Sequence, residues 1–312
     1  MSSSLLYDHP GPAARRRGVV LSVAFLVVFG LGCSWMIATL RRKGELAGSK
    51  WRPFTTGDVW SNFLVPGLEG TLKAAALSIV IALPAAAVLA FARLSQRWWI
   101  RWPATVVVEF FRAIPVLLLM FFAQAIFFAY THVSADDVPL YSVVTGLVLY
   151  NASVLCEVFR AGILALPRGQ TEAAEAIGLR KMQTMLRILL PQAVTAMLPA
   201  VVSQLVVVLK DTALGGQLVG YVDLMRQANT VSANFSNPVA TYVVIGVLYV
   251  AVNFLLSALA GQLERWLRRR QGGRRRRVLA VPLPGGLASG TAPGGAMGPP
   301  TIPRGTETAG RH

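Results

Sequence analysis

Six stretches of this chain are each apolar over about twenty residues or more, the length a helix needs to cross a bilayer. They cover residues 19–40, 68–92, 104–130, 140–161, 190–209 and 239–259. Hydrocarbon offers no water to backbone amides, so a crossing segment must satisfy its own hydrogen bonds, and a helix does so within one segment. The expectation is an all-α, polytopic membrane helix bundle with six transmembrane helices. Only 14% of the 312 residues are charged and the mean hydropathy is +0.55. A soluble domain would carry roughly 25% charged residues.

The net charge of +16 invites a nucleic-acid reading. The basic residues instead flank the apolar stretches, which is the pattern of membrane topology and not of a soluble basic face. With the N-terminus inside, the cytosolic loops hold Arg15–Arg17, Arg93, Arg97, Arg101, Arg160, Arg168, Arg180, Lys181, Arg187 and the arginines from Arg265 to Arg277. The outer loops hold only Arg41, Arg42, Lys43, Lys50, Arg52 and Arg226. Both termini are therefore expected in the cytosol. Arg15–Arg17 before the first stretch suggest a signal peptide, but the stretch is too long for one, and Arg41, Arg42 and Lys43 follow it as a membrane-helix flank would.

Aromatic residues fall where headgroups would lie. Trp98, Trp99 and Trp102 sit beside Arg97 and Arg101. Trp51, Phe54, Trp60 and Phe63 read as an outer interfacial segment broken by Pro53 and Pro66, or as a partner-binding surface. After Gln271 come Arg274–Arg277 and a Gly-, Pro- and Ala-rich end that cannot bury enough surface to order itself. The arginine run suits anionic headgroups, with a regulatory role as the alternative. Cys33 and Cys156 lie inside apolar stretches and read as small core residues. His9, His132 and His312 are far apart, and no metal-ligand spacing or cofactor motif is found.

The segment 162–189 between the fourth and fifth stretches has the composition of structure. Thr171 is placed to cap a helix, with Glu172 and Glu175 in its first turn, where the dipole favours acids. Ala173, Ala174 and Ala176 favour helix, and Gly178 suits a left-handed helix end. A second helix is expected from Leu179, with Met182, Met185 and Leu186 on one face and Pro191 in the first turn of the next span. Its alanine surface leaves room for another protein's groove.

The run Glu172-Ala173-Ala174, then Gly178, then Ile188-x-Leu190-Pro191 resembles the EAA loop of bacterial ABC-importer permeases. The resemblance extends over residues 67–262. Glu109-Phe110-Phe111-Arg112-Ala113-Ile114-Pro115 resembles the FRGTP segment of the polar amino-acid branch, with Ala113 for the usual glycine and Ile114 for the usual threonine. Glu157-Val158-Phe159-Arg160-Ala161-Gly162, Gly169-Gln170 and Lys210-Asp211-Thr212-Ala213-Leu214 resemble further segments of that branch, and the combination is similar to actinobacterial glutamate-uptake permeases.

This resemblance implies a type I ABC importer permease fold. It divides the chain into a cytosolic N-terminus (1–18), an extra helix (19–40), an outer segment (41–66), a five-helix core (67–262) and a disordered basic tail (263–312). It implies that Glu172, Ala173, Ala174, Gly178, Arg180 and Pro191 serve the docking of an ATPase dimer. It further implies a second permease subunit, identical or not, and an extracytoplasmic substrate-binding protein. Transport would proceed by alternating access in the bacterial plasma membrane, with glutamate the expected cargo and another small solute the alternative.

Ionisable groups inside spans are costly and usually sit in pairs or cavities. Glu109 with Arg112, and Glu157 with Arg160, are spaced three apart and can each form a helical ion pair, structural or gating. Lys210 and Asp211 lie near the outer end of the fifth stretch and read as a pair or as pathway residues. In relatives that carry basic amino acids, carboxylates at the positions of Gln204 and Asp211 contact the substrate. A neutral Gln204 leans toward glutamate or a neutral polar amino acid. Asn151 and Gln204 either line a pocket or join helices by hydrogen bonds.

No phosphate-cradling G-x4-G-K-[ST] run occurs, so ATP hydrolysis is expected on another polypeptide. A secondary transporter or channel would favour internal repeats or broken helices, and no repeat is found. An intramembrane enzyme would need paired carboxylates, a Ser/His set or H-E-x-x-H within a span, and none is found.

Overall fold

The computed structural model describes residues 11–278. Among them there is no strand. Besides two short turns, Gly48–Trp51 and Arg52–Thr55, the helices are α1 (Pro12–Arg42), α2 (Gly57–Arg93), α3 (Trp98–Ala113), α4 (Val116–Tyr130), α5 (Val138–Leu164), α6 (Arg168–Ala176), α7 (Lys181–Val219), α8 (Leu224–Phe235) and α9 (Pro238–Val278). Five of them are long and apolar enough to cross a membrane, or six spans result if α3 and α4 count as one.

The core is built on α5, which packs against α2, α4 and α7. Small residues set the approach of α2 to α5. Ala82 and Ala86 meet Ala152 and Leu155, all buried. Helix association in lipid gains little from the hydrophobic effect, so close van der Waals contact between small side chains carries it. Nearer the other end, Met120 of α4 joins Ala74, Leu147 and Val208 in a larger cluster. By contrast, the apolar stretch of α1 has none of its residues buried.

The third expected span is not straight. Its two halves, α3 and α4, meet at 102°. The residue before a proline is driven out of the helical region, and Ile114 accordingly has φ −88 and ψ 131, with Pro115 starting α4. The 15 residues of α4 rise about 22 Å, less than the roughly 30 Å of hydrocarbon. α3 is amphipathic. Trp98, Trp99, Trp102 and Phe110 are exposed, whereas Ala104 and Val108 are buried.

Two prolines expected to break or begin helices lie inside them. Pro66 stands within α2 and Pro191 within α7, each just after a π-helical turn, Trp60–Leu64 and Met185–Leu189. A proline cannot donate to the carbonyl four residues back, and that carbonyl falls inside the π turn in both cases. The wider turn re-registers the backbone so that the helix continues. The fifth expected span is therefore one 39-residue helix that begins at Lys181.

The 41–66 segment is held to the end of the bundle opposite α6. Trp60 Nε1 donates to the Phe54 carbonyl at 2.8 Å, and Asn237 Nδ2 donates to the Lys50 carbonyl at 2.9 Å. Val59 and Leu64 are buried against Leu224, Val231 and Ile245. At the same end α8 starts at Asp223, whose carboxylate accepts from the Arg226 N–H at 2.8 Å. Gly70 and Gly216 let this turn approach: a Cβ at Gly216 would lie 1.6 Å from Asp223 Oδ1. Burial pushes the Asp223 carboxyl up to about 7.

Helix continues from residue 263 through Val278. Residues 279–312 lie outside the described residues, as do 1–10. The chain divides into a unit that ends at Arg268 and a second from Arg269.

Candidate functional site

The bend between α3 and α4 opens a cavity of about 540 Å3 against α5 and α7. Arg112, Pro115, Tyr150, Gln204 and Asp211 line it. Polar groups from three helices thus converge on one space inside an otherwise apolar bundle, which is how small-solute sites are commonly built. Asp211 lies seven residues after Gln204, about two turns, and the two share a face of α7.

Asn151 does not line this cavity. It is fully buried behind the wall. Gln204 Nε2 donates to Asn151 Oδ1 at 2.7 Å, and Asn151 Nδ2 donates to the Leu147 carbonyl at 2.8 Å. Asn151 is a helix-joining group that orients Gln204. Gln204 both lines the cavity and joins helices through this bond, whereas Asn151 joins helices without reaching the cavity.

The Lys210–Asp211 pair is not formed. Consecutive helical residues point about 100° apart, and Lys210 faces a different cavity of about 470 Å3, with Met225, Tyr249 and Asn253. Among the described residues the ion pairs involve neither Lys210 nor Asp211.

The two expected helical ion pairs are present and are joined by a residue that the spacing did not reveal. Arg112 Nη1 lies 3.4 Å from Glu109, and Arg160 Nη2 lies 3.0 Å from Glu157. Arg93, at the end of α2, lies 3.3 Å from Glu109 and also pairs with Glu157. A continuous chain of charges results, from Arg160 through Glu157, Arg93 and Glu109 to Arg112, and it ties α2, α3 and α5 together. It ends on the cavity wall. Arg93 had served only as a topology charge in the sequence, because neighbours along one helix are visible there and a partner on another helix is not.

The 162–189 segment forms a helical hairpin at the end of the bundle that also holds the α2–α3 turn. α6 starts at Arg168 after an extended Pro167, so Thr171 is not its cap, and Glu172 and Glu175 fall beyond its first turn. The helix starts four residues earlier than expected, because Pro167 supplies the start that Thr171 was expected to give. The helix ends in a Schellman turn. Gly178 N–H donates to Glu175 O and Leu179 N–H to Ala174 O, each at 3.0 Å. Gly178 has φ +78, and a Cβ there would meet nothing within 4 Å, so the constraint is the backbone alone.

Arg180 is extended, and its N–H donates to Gln183 Oε1 at 3.0 Å, which starts α7. Gln192 of α7 donates to Gln170 of α6 at 3.3 Å. Ala174 is buried against the rest of the hairpin, whereas Glu172, Ala173 and Gly178 are exposed. Ile177 is 74% exposed, an apolar side chain on the outer face that no spacing rule singles out in the sequence.

A bundle of apolar helices around a polar cavity, with a helical hairpin projecting at one end, defines a polytopic membrane permease. The family model described as "Binding-protein-dependent transport system inner membrane component" matches residues 78–269, and the chain belongs to that family. It is 43% identical over 245 residues to the glutamate transport system permease protein GluD of Corynebacterium glutamicum, covering 78% of this chain and 88% of that one. It is 31% identical over 209 residues to the probable glutamine ABC transporter permease protein GlnP of Bacillus subtilis, covering 66% and 92%. Among solved structures, an amino acid ABC transporter with histidines matches with a TM-score of 0.60 and 26% identity, covering 66% of this chain and 94% of that one. The MetNI methionine ABC transporter matches in fold, with a TM-score of 0.56 at 22% identity over 68% and 99% of the two chains. The chain is the membrane-spanning permease subunit of an ABC import system with the type I fold.

Proposed function

We propose that this permease carries a polar amino acid, glutamate, into the cell through the cavity at the α3–α4 bend. The observation that carries the reading is the convergence of Arg112, Gln204, Tyr150 and Asp211 on that one cavity. Arg112 offers a planar fork for a carboxylate. Gln204 keeps one amide proton free beside the one given to Asn151. Asp211 offers a partner to an α-ammonium group. An amino acid with a second carboxylate meets one cation, one amide and one carboxylate, whereas a basic amino acid would want a second carboxylate at Gln204. The named substrate of the Corynebacterium relative agrees.

Energy reaches the cavity from outside the chain. α6, with exposed Glu172, Ala173, Ile177 and Gly178, is the docking surface for an ATPase dimer. Arg180 and Pro191 act in holding α6 to α7. ATP binding would draw two such hairpins together, one from each of two facing permease subunits, and the pathway would open outward to an extracytoplasmic substrate-binding protein. Hydrolysis would reverse this. The charge chain from Arg160 to Arg112 connects the hairpin end to the cavity wall and suits a gate. Loop charges support a cytosolic hairpin and cytosolic termini.

The test is uptake by the assembled complex in proteoliposomes with its ATPase and binding protein. Labelled glutamate is expected to accumulate only with ATP, ahead of glutamine and far ahead of arginine. Arginine taken up as well as glutamate would refute the substrate, and uptake without the ATPase would refute the mechanism.

A further inference from the structure

Two cavities meet end to end between α2 and α7. The first, about 810 Å3, lies at the hairpin end, with Ser95 and Arg97 of the α2–α3 turn, Glu175 of α6 and Lys181 of α7 on its walls. The second, about 450 Å3, runs from there along the bundle, and every residue on its wall is apolar, Ala87, Ile163, Val194 and Leu198 among them. Phe91 lines both, and Leu189 of the first is followed by Leu190 of the second.

The charged end is basic. Two cations and one carboxylate line the first cavity. Among the described residues none of Arg97, Lys181 and Glu175 joins an ion pair. The Arg97 guanidinium lies over the Trp99 ring, 5.5 Å from its centroid, at the edge of the exposed Trp98–Trp102 belt. Such a ring marks headgroup depth.

We propose that this groove binds one anionic phospholipid of the cytosolic leaflet, with its phosphate between Arg97 and Lys181 and an acyl chain in the apolar cavity. A basic pocket between membrane helices on the cytosolic side is the recognised setting for an anionic headgroup. A soluble anion would use the first cavity and leave the second unexplained. A peptide segment would bring amides into a cavity that offers them no hydrogen-bond partner, at a cost an acyl chain avoids. A headgroup held this way bridges the α2–α3 turn to the first turn of α7 and so braces the hairpin. The inference rests on the cytosolic placement of the hairpin and not on the identity of the substrate.

The full-length protein, purified in mild detergent and stripped of lipid, is mixed with equal phosphatidylglycerol and phosphatidylcholine. Retained lipid is counted by native mass spectrometry. One phosphatidylglycerol per chain is expected, in preference to phosphatidylcholine. The double variant Arg97→Gln, Lys181→Gln is expected to retain roughly tenfold less, since each surface cation contributes to anionic-lipid affinity. Val194→Trp fills the chain cavity and is expected to release the lipid with both cations present. Val88→Trp, on an open face at 68% exposure, is expected to change nothing. Equal retention of the two lipids by the unmodified protein overturns the proposal without recourse to any variant, as does unchanged retention in Val194→Trp.

Discussion

Gln204 of α7 donates its side-chain amide to Asn151 of α5 at 2.7 Å, across 53 residues of chain. The bond lies behind the cavity wall, and it makes the buried Asn151 responsible for the aim of a residue that faces the cavity. Asn151→Leu removes the bond and fills its space with carbon. The expected stability loss is about 1 kcal/mol, since interhelical hydrogen bonds in membranes are weak. Uptake is expected to fall far more than thermal stability does, measured as glutamate transport against Tm.

Gln204→Glu places a second carboxylate two turns from Asp211. Glutamate uptake is expected to fall at least about tenfold, because juxtaposed like charges cost more than the 1.4 kcal/mol that a factor of ten requires. Arginine uptake is expected to rise. Competition assays with both amino acids check the exchange.

Gly178 holds φ +78 in open space. The Cβ of a β-branched residue there meets no neighbour, and the residue is still opposed by roughly 1–2 kcal/mol of left-handed backbone strain. Gly178→Val is expected to leave the protein in the membrane while the ATPase no longer co-purifies and uptake is lost. Gly178→Asn, which tolerates this conformation, is expected to keep much of both. Unimpaired uptake by Gly178→Val would remove the hairpin from the mechanism.

Among the described residues Arg93 alone pairs with both carboxylates of the charge chain, and its side chain is 10% exposed. Arg93→Met would leave Glu157 with Arg160 alone and remove the ion pair between α2 and α3. Breaking a buried pair costs about 3–5 kcal/mol, and the low end is expected because Glu157 keeps a partner. A double-mutant cycle with Glu157→Gln, followed by thermal unfolding in detergent, measures the coupling.

Asp223 lies outside the spans, and its carboxyl is pushed up to about 7 by burial, from an ordinary value of 3.8. Between these values the folded state holds a proton that the unfolded chain releases. Stability from this group is therefore expected to fall as pH rises from about 4 to 7, by up to roughly 1.4 kcal/mol per unit, and to level off above. Asp223→Asn can still accept the Arg226 N–H bond and carries no charge, so its Tm is expected to be flatter from pH 5 to 8. Equal slopes in the two proteins would deny Asp223 this role.

Hydropathy located the apolar stretches, because crossing a bilayer demands a long run of one kind of side chain. The left-handed Gly178 was legible for a similar reason: a helix stop of this type involves only a few consecutive residues. Thr171 and Pro191 show the limit of such rules. Thr171 is a good cap in isolation, but Pro167 starts the helix first. Pro191 suits a first turn, but the π turn before it lets α7 run through.

From the sequence alone came the membrane setting, the helical class, the hairpin and the two helical ion pairs. All of these depend on composition or on residues within a turn or two of each other. Only the tertiary structure decided that Pro115 turns the third span by 102°, that Arg93 joins the two pairs, that Asn151 stands behind Gln204, and that Lys210 and Asp211 face different cavities. Local backbone preference restricts Ile114 but does not choose where the next helix packs. The burial of small residues between α2, α4, α5 and α7 makes that choice, and with it sets which distant polar groups meet.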